Sequence, residues 1–429
     1  MIGPMMRRLR SRLTASPAAD EASAPRLSAF RSLRNRNYRL WAAGAFVSNV
    51  GTWMQRTAQD WLVLAELTPH NATAVGIVMA LQFGPSLVLL PLTGAAADRF
   101  DRRKLLLVTQ AAMGALAAAL GVLTVLGVVQ LWHVYVFALL LGCVSAFDAP
   151  ARQTFVSELV GADDVANAVA LNSTSVQAGR LIGPAAAGLT ISAFGSGWSF
   201  ISNGLSFAAM LVALSALRVG ELHRVARPPL KRGSFAEGLR YLRGHDDLKV
   251  VLAMLFLVAT FGLNFPIFIS TMAVSVFHVG AHAYGLLTSV MAIGSVAGAL
   301  LSARRAQPRL SLLIAGAAVF GVGCAAAALM PGYALFAATL MVIGISAQTF
   351  MIGANSTVQL ATEPAMRGRV MAIYLAIALG STPLGAPIVG WVADAFGPRW
   401  ALAVAAVAGL AAAVVGARHL RQALAQSGP

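Results

Sequence analysis

Asn49, Thr52, Arg56 and Asp60 follow one another at helical spacing inside an otherwise apolar run, with Ser48, Gln55 and Gln59 alongside. On a helix these positions form one polar stripe. Arg56 can attract an anionic or carbonyl-bearing solute, and Asp60 can carry a proton. The two also stand four residues apart, so a structural pair that neutralises itself is equally legible. Asp148 and Arg152, around Pro150, read as a structural pair at a gate. Arg180 stands one helical turn before Gly183 and Pro184. From there it can contact substrate or hold a partner on another helix, such as Asp148. A charge at bilayer depth costs roughly 2.5–3.5 kcal/mol on insertion scales, which makes each of these residues a functional candidate.

That depth follows from composition. The chain has 429 residues, 58% hydrophobic and only 11% charged, with a mean hydropathy of +0.73. Soluble domains carry about 25% charged residues, so an ordinary cytosolic enzyme is excluded. Apolar runs long enough to cross a ~30 Å hydrocarbon core recur through most of the chain. They fall at about 38–66, 73–97, 105–129, 131–156, 165–194, 197–217, 248–276, 283–303, 309–330, 333–357, 369–395 and 399–417. A β-barrel would show short alternating segments instead. The expected fold is an all-α polytopic membrane protein of twelve transmembrane helices. Cys143 and Cys324 both lie in apolar runs, and the seven histidines form no metal spacing, so neither a disulfide nor a metal site is expected. No phosphate-binding glycine loop with lysine appears, and no nucleophile–base constellation. The expectation is therefore a non-enzyme without cofactor.

The net charge of +16 suggests nucleic acid, but its distribution excludes that partner. Of the 32 lysines and arginines, 28 fall on or beside the N-terminal tail, alternate connections and the C-terminal tail. The positive-inside rule then puts both termini and the connection 218–247 in the cytoplasm. Residues 1–37 form a basic tail whose stretch from Thr14 to Pro25 reads as disorder, without the apolar core of a secretory signal. Leu27, Phe30 and Leu33 can lie on the inner membrane surface. Residues 418–429 make the second tail.

The chain also resembles itself at a separation of roughly 202 to 209 residues. Phe30-Arg31-Ser32-Leu33-Arg34 matches Leu239-Arg240-Tyr241-Leu242-Arg243, and Gly76 matches Gly285. Pro184, Gly188 and Phe194-Gly195 match Pro387, Gly390 and Phe396-Gly397. The reading is two six-helix bundles in parallel pseudo-repeat, 38–217 and 248–417, joined by a cytoplasmic linker at 218–247. That is the plan of a rocking transporter with its site between the bundles.

Between the second and third spans stands Gly94-Ala95-Ala96-Ala97-Asp98-Arg99-Phe100-Asp101-Arg102-Arg103-Lys104. Gly94 permits close helix approach, Asp98 can interact with a helix N-terminus on the same face, and Arg102 can reach Asp148. In this loop the chain resembles the major facilitator superfamily, whose signature is Gly-x-x-x-Asp-Arg-x-Gly-Arg-Arg/Lys, with Asp101 where the signature has glycine. The second-half counterpart retains Gly298 and Arg304-Arg305 but has Ser302 in place of the acid. Trp53-Met54-Gln55, Gln59-Asp60-Trp61-Leu62-Val63 and Asp148-Ala149-Pro150-Ala151-Arg152-Gln153 look similar to the branch holding bacterial siderophore exporters and macrolide efflux pumps. So do Asn167-Ala168 and Ala170-Leu171-Asn172 ahead of Gly183-Pro184. The second half is less similar, Met366-Arg367-Gly368-Arg369-Val370 being its best fragment.

The resemblance implies that Gly94, Asp98 and Arg102 latch the inner gate in the outward-facing state. It implies that the first span lines a central cavity, and that Gly179, Gly183, Pro184 and Gly188 form a close-packing, bending element. Further expectations concern Asp394 at the membrane interface, a break at Asn264 and Pro266, and a polar cavity wall at Ser346, Gln348, Thr349, Asn355 and Gln359. The function expected is proton-coupled export of small hydrophobic or amphipathic molecules (drug, siderophore or secondary metabolite) by a monomer in a bacterial cytoplasmic membrane. Import, lipid flipping, and a sensor that docks a partner on the linker around Phe235, Leu239 and Leu242 are the alternatives.

Overall fold

The computed structural model describes residues 30–89, 92, 93, 96, 100–223, 235–304 and 309–426, and every regular element among them is helical. We number the helices α1 (Arg36–Trp61), α2 (Ala72–Val88), α3 (Arg102–Val125), α4 (Leu131–Phe155), α5 (Val165–Phe194), α6 (Ser196–Ser215) and α7 (Phe235–Arg243). Then follow α8 (Asp246–Leu257), α9 (Phe265–Thr271), α10 (Ala281–Ala303), α11 (Leu310–Leu329), α12 (Tyr333–Ala361), α13 (Arg367–Phe396) and α14 (Pro398–Gln426). Nine helices among the described residues are long and apolar enough to cross a membrane, α8 and α9 counting as one. α1, α2 and α5 occupy the places of the first, second and fifth predicted spans. α1 and α5 owe their lower hydropathy to the polar groups noted above, and α2 is short within the described residues.

The seventh predicted span breaks where Asn264 and Pro266 suggest. A π-turn at Val258–Gly262 ends α8, and the chain restarts as α9 with Pro266 in its first turn, where a missing N–H costs nothing. Asn264 bridges the gap by donating from Nδ2 to the Thr260 carbonyl at 2.7 Å. A second unanticipated π-turn, Leu62–Leu67, ends the first span.

Asp101, the departure from the family signature, has a structural role. It is the N-cap of α3, its carboxylate accepting the Lys104 N–H at 3.0 Å. Asp101→Ala is expected to lower stability by about 1 kcal/mol and Asp101→Gly by only ~0.3 kcal/mol. Thermal melting of the purified protein checks this, and an alanine variant that melts with the wild type would remove the cap from the account.

α1 packs on α5 and α6, α3 on α6 and α4, and α2 on α4. In the second half α11 packs on α14 and α12, α10 on α12, and α8 on α14. Among the described residues the two most extensive crossings between the halves are α2 on α13 and α5 on α10, with α9 also touching α1 and α2. Residues matched by the internal repeat meet there in matching ways. A Cβ on Gly76 would lie 2.4 Å from the Ala386 carbonyl oxygen, and one on Gly285 2.3 Å from that of Pro184. Gly390 presses on Ala72 and Thr73, as Gly188 presses on Ala281 and His282. Small residues thus bring the backbones of the two halves into contact, the usual solution where apolar burial gives no net drive between helices.

Both ends of the first half and of the second lie on one side, here the terminal side. Asn37 exchanges hydrogen bonds with the backbone of Arg218 at 3.0 Å, and His419 meets Asp247 at 2.5 Å. The amphipathic α7 docks there too: Glu237 pairs with Arg369 at 2.9 Å, and Gly238 sits against the backbone of Arg369. The matched segment before α1 docks on α5 in the same manner, Ser32 bonding Asn167 at 2.7 Å. Phe30 and Leu33 lie among the described residues and Leu27 outside them.

Candidate functional site: a charged cavity between the halves

The gate residues come first. Gly94 and Asp98 lie outside the described residues. Arg102 pairs with Glu158, not with Asp148, because the connection after α4 brings Glu158 to the start of α3. Asp148 is already satisfied: it accepts from Thr109 and Gln110 at 2.7 Å each and from Arg152 Nε at 3.1 Å. Arg152 in turn lies 6.0 Å from the Trp41 ring centroid, and Trp41 meets Phe155 edge-on at 5.2 Å. A buried carboxylate with three donors is a structural knot.

The stripe on α1 divides. Asn49 turns to α5, donating to Ser175 at 3.0 Å. Thr52 and Gln55 face a small cavity within the first half, where Gln55 accepts from Asn203 of α6 at 2.5 Å. Gln59 is buried. Only Arg56 and Asp60, with Trp53 and Thr57, reach a larger central cavity of about 870 Å³, counting its open part. Arg180 of α5 arrives at the same cavity, brought close because Gly179 packs on the Asn49 backbone and Gly183 on Trp53 and Met54. Phe265, Pro266 and Ile269 of α9, Tyr284 and Thr288 of α10, and Thr382 of α13 form the opposite wall. The polar residues of α12 are not part of it; Ser346 instead bonds back to Ile343, and Gln359 to Asn355.

Two charge pairings that the sequence left open are not made. Arg56 and Asp60 make no ion pair. Asp60 accepts a hydrogen bond from Tyr284 at 3.3 Å, across the junction of the halves, and Tyr284 stacks on Trp61 at 6.1 Å. Arg180 is not with Asp148 but over Trp53, 5.5 Å from its ring centroid. Arg56 lies over the same ring at 4.9 Å and over Phe83 at 5.3 Å. Two guanidinium groups thus share one indole, each held by a contact worth up to about 2 kcal/mol when desolvated.

Asp394 is not merely interfacial. Its carboxylate caps α2, accepting from the N–H groups of Ala72 and Thr73 at 2.7 and 2.8 Å and from the Thr73 hydroxyl at 2.5 Å. This closes the side opposite the termini, where the glycine crossings also lie. Asp394→Ala should shift the balance toward an open far side by about 1 kcal/mol, roughly fivefold. Faster labelling of a cavity cysteine by an impermeant thiol reagent would register it; an unchanged rate would show that the cap is no latch. On the terminal side part of α5 is exposed. Between Ala168 and Gly179 no residue of α5 is buried, although Asn172, Ser173, Thr174, Ser175 and Gln177 are polar. Such a stretch at membrane depth is tolerated where it faces water.

Residues 27–426 match the family described as transmembrane secretion effector, a group of the major facilitator superfamily. The chain belongs to that family. The staphyloferrin A transporter of Staphylococcus aureus is 24% identical over 368 residues, 83% of this chain and 89% of that protein. The multidrug efflux pump Tap of Mycolicibacterium fortuitum is 27% identical over 370 residues, 82% and 88%. The enterobactin exporter EntS of Shigella flexneri is 26% identical over 361 residues, 82% and 84%. Among solved structures, an inward-facing, occupied bacterial homologue of the human lysosomal transporter Spinster superposes with a TM-score of 0.71 at 15% identity, covering 90% of this chain and 97% of that one. This major facilitator chain is therefore a multi-pass membrane transporter, and its relatives are transporters, not enzymes.

Proposed function

We propose that this transporter is a proton-coupled exporter of small amphipathic molecules that works by alternating access in a bacterial cytoplasmic membrane. Both termini lie in the cytoplasm, and a single chain encloses the path. The bundles are 38–217 and 248–417, with 218–247 as a cytoplasmic linker carrying α7. The observation that carries this reading is Asp60: a membrane-embedded carboxylate at the junction of the halves, beside the cavity and bonded across it to Tyr284. Closure opposite the termini and the open polar face of α5 support an inward-facing state, loaded from the cytoplasm. In the opposite state, Arg102 and the loop at Gly94 and Asp98 would latch the inner side, with the Asp148–Arg152 pair bracing it. One proton moving inward through 100 mV releases about 2.3 kcal/mol, enough to sustain a gradient of roughly fiftyfold.

The test is efflux of a panel of antibiotics, dyes and siderophores from loaded cells, with and without a protonophore. Protonophore-sensitive extrusion of any member is the expected result. Faster accumulation would reverse the direction assigned, and no movement of any compound would overturn the reading.

A further inference from the structure

The charged residues lining the central cavity, Arg56, Asp60 and Arg180, come from α1 and α5, and they do not balance. Asp60 is the acid in the lining and is engaged by Tyr284. Neither guanidinium has a carboxylate within ion-pair distance among the described residues. The Nε of Arg56 is buried without a hydrogen-bond partner, and both cations stand within 5.5 Å of the same indole centroid. Both also line the same cavity, so an anion that enters it meets both. Leaving half-buried cations at membrane depth unpaired is costly, and a guanidinium fork is best satisfied by a planar oxyanion. The rest of the lining is mainly apolar and aromatic, with Phe83 on one wall and Phe265 on the other.

We infer, building on the transport reading above, that the ligand of this cavity is an organic anion with a flat apolar body. Its oxyanion is held by Arg56 and Arg180, and its ring system lies among Trp53, Phe83 and Phe265. A cationic compound of the same shape meets two like charges and is rejected. Exchange of one inward proton for one outward anion then carries two charges in the same sense, so transport is electrogenic.

The test compares three probes of one shape, 2-naphthoate, 2-naphthamide and 2-naphthylmethylammonium, binding to the full chain in nanodiscs. Naphthoate should bind at least about tenfold tighter than the amide, as expected for charge-assisted hydrogen bonds, and the ammonium should be weakest. The double variant Arg56→Gln, Arg180→Gln should abolish that preference, so that naphthoate binds no tighter than the amide. Arg56→Lys and Arg180→Lys should keep the preference, which separates loss of charge from loss of fold. Equal binding of amide or ammonium, no binding of naphthoate, or a preference that survives the double glutamine variant would overturn the assignment. Proton-coupled efflux confined to neutral and cationic compounds would overturn it too, while leaving the transport reading intact. Naphthoate held by the arginines with no efflux of any compound would do the reverse.

Discussion

Asp60→Asn is expected to abolish proton-coupled efflux while leaving the protein folded and able to bind its ligand. Asparagine matches aspartate in shape and can still accept the Tyr284 hydrogen bond, so the contact between the halves persists. What disappears is the group that can take up and release a proton. Without one coupled proton the steady-state gradient should fall by roughly fiftyfold at 100 mV, because about 2.3 kcal/mol of driving force is gone. Downhill exchange of labelled for unlabelled substrate needs no proton and should continue. Loss of both activities would point instead to a collapsed cavity, and normal protonophore-sensitive efflux by the variant would end the assignment of Asp60 as proton carrier. Tyr284→Phe is the companion variant: it removes the cross-junction hydrogen bond but keeps the titrating group, so coupling should survive.

The second large effect belongs to two glycines. In Gly76→Ala the new methyl would lie 2.4 Å from the Ala386 carbonyl oxygen, and in Gly285→Ala 2.3 Å from that of Pro184. Both obstacles are backbone atoms, which cannot rotate away as a side chain would. The helices must part, and the far side of the cavity must open with them. Overpacking of this kind costs about 1–3 kcal/mol per site, a shift of roughly 5- to 150-fold in the balance of states. The measurement is the rate at which Thr57→Cys, in a background lacking Cys143 and Cys324, is labelled from the side opposite the termini. The double alanine variant should label more than about tenfold faster than its parent if each site costs near the low end of that range. Gly280→Ala, whose Cβ would meet nothing within 4 Å, should label as the parent does. Equal rates in all three would mean that these crossings do not govern closure.

Much of this arrangement was legible in the sequence, for physical reasons that differ from element to element. Spans are visible because lipid imposes length and apolarity on a helix. The repeat was visible at Gly76 and Gly285, and at Pro184 and Pro387, because backbone contact between helices tolerates few residue types. Arg56, Asp60 and Arg180 stood out by cost alone. Their partners did not. Tyr284 is 224 residues from Asp60, and nothing local in an alanine-rich helix marks it as the donor. Trp53 stood out only as part of a family fragment, since cation–π pairing leaves no spacing signature between helices. Arg102 was matched to Asp148 on charge and depth, but Thr109 and Gln110 had already satisfied that carboxylate. Asp394 could be placed at an interface, but its role as a cap could not, because a cap on another helix looks, in sequence, like any acid near an interface.

The cavity's two walls are chemically unequal. α1 and α5 supply Arg56, Asp60 and Arg180, whereas the facing surfaces of α9, α10 and α13 present Phe265, Ile269, Tyr284 and Thr382, without a formal charge. The duplicated halves have kept the same glycine contacts where they touch and diverged where they face the solute. In the mechanism proposed above, one wall holds the energetics of coupling and the other sets the shape of what fits. Selection for new cargo can then act on Phe265, Ile269 or Thr382 while the charged wall stays intact, so a single scaffold can change its chemical repertoire without relearning how to be driven.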